Sequence, residues 1–246
     1  MPKTFFIDTS RCTACRGCQV ACKEWNELPA NKTKQTGTHQ NPPDLNPNNY
    51  KVVRFSEHLD GDTIRWYFFP DQCRHCIDPP CVAVGGDLVD GAIIHDTKTG
   101  AVIYTDKTRQ LSEADFEEIR DACPYNIPRR DPATGKISKC TMCVERLVRG
   151  LLPACVKVCP TGAMNFGERE DMLRLAQSRL ARARKEYPKA MLADADDVNV
   201  IYLLPDDPMK VYEFSVAKFS PGIDRKVFLA RLGAPLKKGL RPFLNL

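Results

Sequence analysis

Long apolar runs are missing from this 246-residue sequence. The longest, Val200–Leu204, has five residues, and a helix needs about 20 to cross a bilayer. No membrane span is expected. A cleavable leader is missing too: MPKTFFIDTS has one Lys, a short apolar patch and no small-residue cleavage site, so no secretory signal is expected. Histidine is scarce. His39, His58, His75 and His95 show no metal-ligand spacing among themselves. No Gly-rich phosphate loop follows a strand-like run, which argues against a nucleotide or flavin site. Nor is there a nucleophile with a placed base, so the chain is not expected to hold a catalytic site of its own. Lys and Arg exceed Asp and Glu by five, but without an RNA or DNA module no nucleic-acid partner is expected.

Cysteine is what the sequence has in excess. There are twelve, in a chain long enough to bury a core without staples. Cys12, Cys15, Cys18 and Cys22 form C-x2-C-x2-C-x3-C, the run that holds four-iron clusters in bacterial ferredoxins. Three sulfurs two residues apart on a loop can wrap three corners of a cubane. The x3 step begins a helical turn and carries the fourth sulfur toward a second cluster. Cys22 is therefore expected to complete the set of Cys140, Cys143 and Cys155. Cys159, followed by Pro160, is the fourth cysteine of the last run and should return to Cys12, Cys15 and Cys18. Cys73, Cys76, Cys81 and the isolated Cys123 make one more complete set. The expectation is three [4Fe-4S] clusters with iron on all twelve thiols.

The missing cysteines fit the same scheme. A second crossed pair would need a cysteine four residues after Cys81, where Gly85 stands. It would need three more ahead of Cys123, where LSEADFEEIRDA has none. One cluster's worth of ligands is absent. Disulfides suit small exported domains and fit poorly with thiols crowded into short turns. Zinc is a better rival for Cys140, Cys143, Cys155 and Cys159, but the first run has one cysteine more than a tetrahedral ion needs. If each oxidised cluster with its four thiolates adds about −2, the holoprotein's net charge falls to about −1, and the basic excess mostly balances the clusters. Cations crowd the motifs: Arg11, Arg16, Lys23, Arg74, Lys139 and Arg146, with Arg129 and Arg130 nearby. His75, inside CRHC, is read as a tuning group and not a ligand, because its set already has four thiols.

The fold expected is α+β, with duplicated ferredoxin-like units, short hairpins and helices around Fe–S clusters, long loops and an extended C-terminal tail. DGAIIH and TGAMNF repeat as Gly turns entering short strands, and AIIHDTKTGAVIYTD reads as a hairpin. Residues 26–50 read as a long polar surface loop. A helix is expected from about Glu168 to Tyr187, with Leu173, Ala176, Leu180, Ala183 and Tyr187 on one face and Arg184 intruding on it. VNVIYLLP should be a strand. Residues 1–25 and 138–167 are expected to form a crossed unit with two clusters, and 51–137 an inserted unit with one. Residues 168–246 should give a helix, a strand and a partner-binding tail.

RCTACRGCQVACKEWN, CRHCIDPPC, ACPYNIPRR, KCTMCVERLVRGLLPACVKVCPTGA and YPKA with VIYLLPDDP together resemble the iron–sulfur (beta) subunits of molybdenum or tungsten pterin oxidoreductases. Within them the chain is most similar to the beta subunits of soluble, two-subunit formate dehydrogenases. Membrane-bound relatives carry four beta-chain clusters and a C-terminal membrane helix, and this sequence departs on both counts. The resemblance implies a heterodimer with a catalytic alpha subunit that alone holds the Mo or W pterin. It also implies a soluble, multihaem c-type cytochrome as acceptor. Co-export to the periplasm with the catalytic chain is implied, with the cytoplasm as the alternative. Rival functions are the iron–sulfur subunit of a thiosulfate, polysulfide or tetrathionate reductase or of a hydrogenase, and a free-standing polyferredoxin.

Overall fold

Phe5, Phe6 and Ile7 are buried one after another, as are all five residues of Val200–Leu204. Runs buried on both faces belong inside a sheet that is covered on both sides. In the computed structural model, which describes residues 2–217, these runs are neighbouring central strands. The strands are β1 (Lys3–Asp8), β2 (Val52–Asp60), β3 (Thr63–Asp71), β4 (Ile93–Asp96), β5 (Ala101–Tyr104), β6 (Arg129–Arg130), β7 (Ile137–Ser138), β8 (Met164–Glu168), β9 (Met191–Ala193) and β10 (Val200–Leu204). The helices are α1 (Gly17–Trp25), α2 (Pro80–Gly85), α3 (Glu113–Asp121), α4 (Val144–Leu147), α5 (Ala154–Lys157), α6 (Arg169–Ala183) and α7 (Pro208–Val211).

The main sheet runs β8-β1-β10-β9. β1 lies parallel to β10, with Phe5 opposite Val200 and Ile7 opposite Tyr202, and antiparallel to β8. The Phe5 and Phe166 rings meet edge to face at 4.8 Å, the arrangement aromatic pairs prefer. On one side, Phe6, Ile201 and Leu203 pack against Ala176 and Leu180 of α6. On the other, Phe5, Ile7, Val200 and Tyr202 pack with Phe69 of β3 and the thiols Cys18 and Cys155. Strands from beyond residue 168 thus enter the same sheet as β1.

α6 ends at Ala183, four residues short of the expected Tyr187. Helical hydrogen bonding continues to Tyr187, whose N–H donates to the Ala183 carbonyl at 2.7 Å. Arg184 caps this end from the exposed side and donates to the Ala190 carbonyl at 3.0 Å, so its charge does not enter the apolar face. The hairpin expected from AIIHDTKTGAVIYTD is β4–β5, with Ile93 opposite Tyr104. Residues 26–50 carry no named helix or strand. They are tied down by Asp44, which accepts from Arg54 and Arg129 at 2.5 and 2.6 Å.

The β2–β3 hairpin is long and was not expected from the sequence. Its base is buried, while Leu59, Ile64 and Trp66 toward the tip are exposed, so the clean alternation that marks a half-buried strand is missing. Gly61, at φ +61, makes the two-residue turn, where primed turns need positive φ. A third core, made by Ile93, Val102, Phe116, Ile119 and Ile137, joins β4, β5, α3 and β7. Ser112 caps α3 there, in reciprocal hydrogen bonds with Asp115. The tail from residue 218 onward lies outside the described residues.

Candidate metal centres

Three C-x2-C turns share one backbone device. Ala14, His75 and Met142 each follow a cysteine by two residues, and each has positive φ, at 52°, 48° and 61°. Side chains other than glycine rarely adopt this conformation, and it marks sites where the surrounding structure imposes it. Its effect is to aim an amide back at a thiol. The His75 N–H lies 3.4 Å from Cys73 Sγ, the Met142 N–H lies 3.4 Å from Cys140 Sγ, and the Ala14 N–H does the same for Cys12. Amides aimed at sulfur stabilise a thiolate.

Cys12, Cys15 and Cys18 lie on the turn into α1, and Cys159 follows α5, which packs against α1. The structure brings this set together. Burial pushes the Cys12 thiol up to about 11, and the charges of Cys18 and Cys159 act on it. At Cys159 burial is outweighed by the amides of Met164, Ala163 and Thr161 and by the Thr161 hydroxyl, which hold its thiol below the ordinary range. Cys22, one turn further along α1, faces elsewhere. After burial, which drives its thiol far up, the largest charges acting on it are those of Cys140, Cys155 and Cys143.

Cys73, Cys76, Cys81 and Cys123 line one apolar cavity with Val102, Tyr104 and Ile127 among the other lining residues. Burial raises the Cys123 thiol to about 12 and raises those of Cys76 and Cys81. Buried neutral thiols crowded in this way gain from giving up protons only to a metal. The buried Tyr104 hydroxyl stands against Cys81, toward whose sulfur it donates. Cys140 also links two sets: after burial, the largest charge acting on it is that of Cys73.

The donor chemistry fits iron–sulfur clusters at all three places. Each has four thiols, and all but exposed Cys15 are desolvated or aimed at by amides. A mononuclear zinc site draws its sulfurs to about 2.3 Å from one point. Among the described residues no three Cys, His, Asp or Glu side chains close around a single ion in that way.

The cations divide by role. Arg74 is fully buried, held by Asp71 at 3.1 Å and stacked 4.6 to 5.0 Å from the Tyr202, Tyr125 and Phe69 rings. Lys139 stands over the Tyr104 ring at 4.8 Å, and its charge opposes the effect of burial on Cys81. Arg130 reaches away to exposed Glu113. His75 is turned to β5: its Nδ1 accepts the Val102 N–H at 3.0 Å. Burial and the neighbouring Lys139 hold the ring far below the ordinary histidine range. Sequence reasoning missed Lys51, which lies outside every cysteine motif and is 2% exposed, its ammonium donating to the Pro70 carbonyl and the Gln72 side chain. No local signal could have found it.

Among the described residues no helix is long and apolar enough to cross a membrane. Residues 64–169 match the 4Fe-4S dicluster domain family. Over 216 residues the chain is 59% identical to "Formate dehydrogenase 2 subunit beta (cytochrome c-553)" of Nitratidesulfovibrio vulgaris, covering 87% of this chain and 99% of that protein. It is 52% identical over 217 residues to the formate dehydrogenase subunit beta of Megalodesulfovibrio gigas, covering 88% and 100%. The iron–sulfur subunit of Escherichia coli formate dehydrogenase-O is 37% identical over 218 residues, covering 82% of this chain and 70% of that one. An α+β chain rich in cysteine with likenesses of this extent belongs to the family of iron–sulfur beta subunits of formate dehydrogenases.

Proposed function

We propose that this chain relays electrons from a formate-oxidising alpha subunit to a soluble c-type cytochrome through three [4Fe-4S] clusters. The first is held by Cys12, Cys15, Cys18 and Cys159, the second by Cys22, Cys140, Cys143 and Cys155, and the third by Cys73, Cys76, Cys81 and Cys123. Each cluster, when bound, supplies a one-electron store. The observation that carries the reading is the crossing: Cys22 turns from its own run toward Cys140, Cys143 and Cys155, while Cys159 turns back to Cys12 and Cys18.

The order proposed is first, second, third. The charge of Cys18 acts on Cys155 across the first and second sets, and that of Cys73 acts on Cys140 across the second and third, which supports the second set as the middle one. Cys15 is exposed in the first set, which supports placing that end against the catalytic chain. Cys123 borders a surface depression lined by Glu117, Arg120 and Asp121, which supports exit from the third. Formate gives up two electrons and a proton to leave CO2 on the partner, which alone holds the Mo or W pterin.

The repeated positive-φ turn at Ala14, His75 and Met142 supports an origin in duplicated ferredoxin-like units. These would be a crossed unit of 1–25 with 138–167 and an inserted unit of 51–137, with 168–246 completing the sheet and reaching the partner. The chain works as a heterodimer with its alpha subunit in the periplasm, exported on the partner's signal. The test is iron and acid-labile sulfide analysis of the purified heterodimer after subtracting the alpha subunit's own content. About twelve of each per beta chain are expected, from about four per cluster. Stoichiometric zinc without sulfide would refute the reading, and recovery of the complex from the cytoplasmic fraction would refute the location.

A further inference from the structure

The basic excess of this chain sits in one place. Residues 218–246 hold seven of the 36 Lys and Arg, against Asp224 alone of the 31 Asp and Glu. In residues 1–217 acids therefore outnumber bases, 30 to 29. Acid is concentrated too: residues 77–121, between Cys76 and Cys123, carry ten Asp and Glu against four Lys and Arg. The two segments have formal charges of +6 and −6.

Part of this acid lies on one helix face. α3 turns Phe116 and Ile119 into the core and exposes Glu117, Glu118 and Asp121. Arg120, between them, donates to the Asn126 side-chain oxygen at 3.0 Å. Glu113 pairs with Arg130 at 3.1 Å, but Glu117, Glu118 and Asp121 form no ion pair among the described residues. The depression lined by Glu117, Asp121 and Cys123 is also lined by Phe214, so the chain returns to this face just before its last segment. The Phe214 carbonyl accepts from buried Arg74 at 3.1 Å, and the Ala217 N–H donates to Asp194 at 2.7 Å. Lys218 follows Phe214 by four residues, at most about 14 Å of extended chain.

We infer that residues 218–246 dock on the exposed acidic face of α3, beside Cys123, as an intramolecular cover of opposite charge. Of 168–246, this assigns the last segment to the chain's own surface and leaves 168–217 to reach the alpha subunit. Sign and proximity act together. Exposed ion pairs are individually weak, but a segment tethered four residues away meets the face intramolecularly, at high effective concentration. An acceptor approaching Cys123 then meets a face whose charge is cancelled. That consequence rests on the exit proposed for the third set; the docking itself does not.

The test is tryptic cleavage and zero-length carbodiimide coupling of the purified heterodimer at one pH and low salt, both read by mass spectrometry. In the unsubstituted protein, coupling should join tail lysines to Glu117, Glu118 or Asp121 of the same chain. In the Glu117→Gln, Glu118→Gln, Asp121→Asn variant, cleavage after Arg225, Lys226 and Arg231 should be at least about tenfold faster than in the unsubstituted protein. The ratio should fall to near one at about 1 M salt, where charges are screened within about 3 Å. Glu57→Gln, Asp60→Asn, Asp62→Asn, on the exposed part of the β2–β3 hairpin, should leave the rate where it is. Should the α3 variant fail to fold, Arg225→Gln, Lys226→Gln, Arg231→Gln removes the other half of the pairing, and cleavage after Lys237 and Lys238 should rise in the same way. Equal cleavage of unsubstituted and substituted proteins overturns the inference. Coupling only to the alpha subunit, or only between two beta chains, also overturns it, as does protection that appears only with phosphatidylglycerol vesicles. Neither measurement reads iron, so this inference stands or falls apart from the ligand sets.

Discussion

A Cβ on Gly85 would lie 2.6 Å from Ile119 Cδ1 and 2.8 Å from Ile93 Cδ1. Gly85 stands four residues after Cys81, where a second crossed run would place a cysteine, and Ile119 lies in the stretch before Cys123 that would supply three more. The space is filled instead by the core of Ile93, Phe116, Ile119 and Ile137. The absent ligands and the apolar packing are one substitution seen from two sides.

Gly85→Cys should therefore add no cluster and should cost about 1–3 kcal/mol through overpacking. Ile119→Val should recover part of that loss in the double variant. Apparent melting temperatures of the four proteins, with iron content, measure both effects. Extra iron in Gly85→Cys would sink the argument.

Cys22→Ser should remove the signals of the cluster shared with Cys140, Cys143 and Cys155, and should spare the cluster of its neighbours Cys12, Cys15 and Cys18. EPR spectra of the reduced protein report which signal is lost. Loss of the first cluster alone would show that Cys22 closes its own run.

Replacing Cys73 and Cys76 by alanine should stop reduction of the c-type cytochrome while formate still reduces the other two centres. Stopped-flow spectra of cytochrome reduction, with EPR of the frozen complex, distinguish the steps. If those centres stay oxidised while the alpha subunit still turns over with an artificial acceptor, the third set is not the exit.

Asp71 joins Arg54 and Arg74 in the interior, with no exposure of its carboxylate. Asp71→Asn leaves the buried Arg74 without its carboxylate and Arg54 with Asp44 alone, and should destabilise the fold by about 3–5 kcal/mol. Asp60→Asn breaks the pair with Arg65, in which both side chains are more than half exposed, and should leave the melting temperature unchanged. Thermal unfolding of the two variants side by side checks the contrast.

The sequence by itself determined what is covalently local. The spacing of Cys12, Cys15, Cys18 and Cys22 dictates which sulfurs a single loop can present together, and the x3 step sets the fourth on a helical turn. The β4–β5 hairpin and the face of α6 are legible for the same reason, since turn residues and periodicity lie within a few residues of each other. Tertiary structure decided the rest. β1 and β10 are neighbours across nearly the whole described chain, and neither run alternates, because both of its faces are covered. Lys51 has no motif around it; only the fold buries its ammonium against the Pro70 carbonyl and the Gln72 side chain. The electrostatic coupling of Cys140 to Cys73 joins segments whose separation no local pattern encodes.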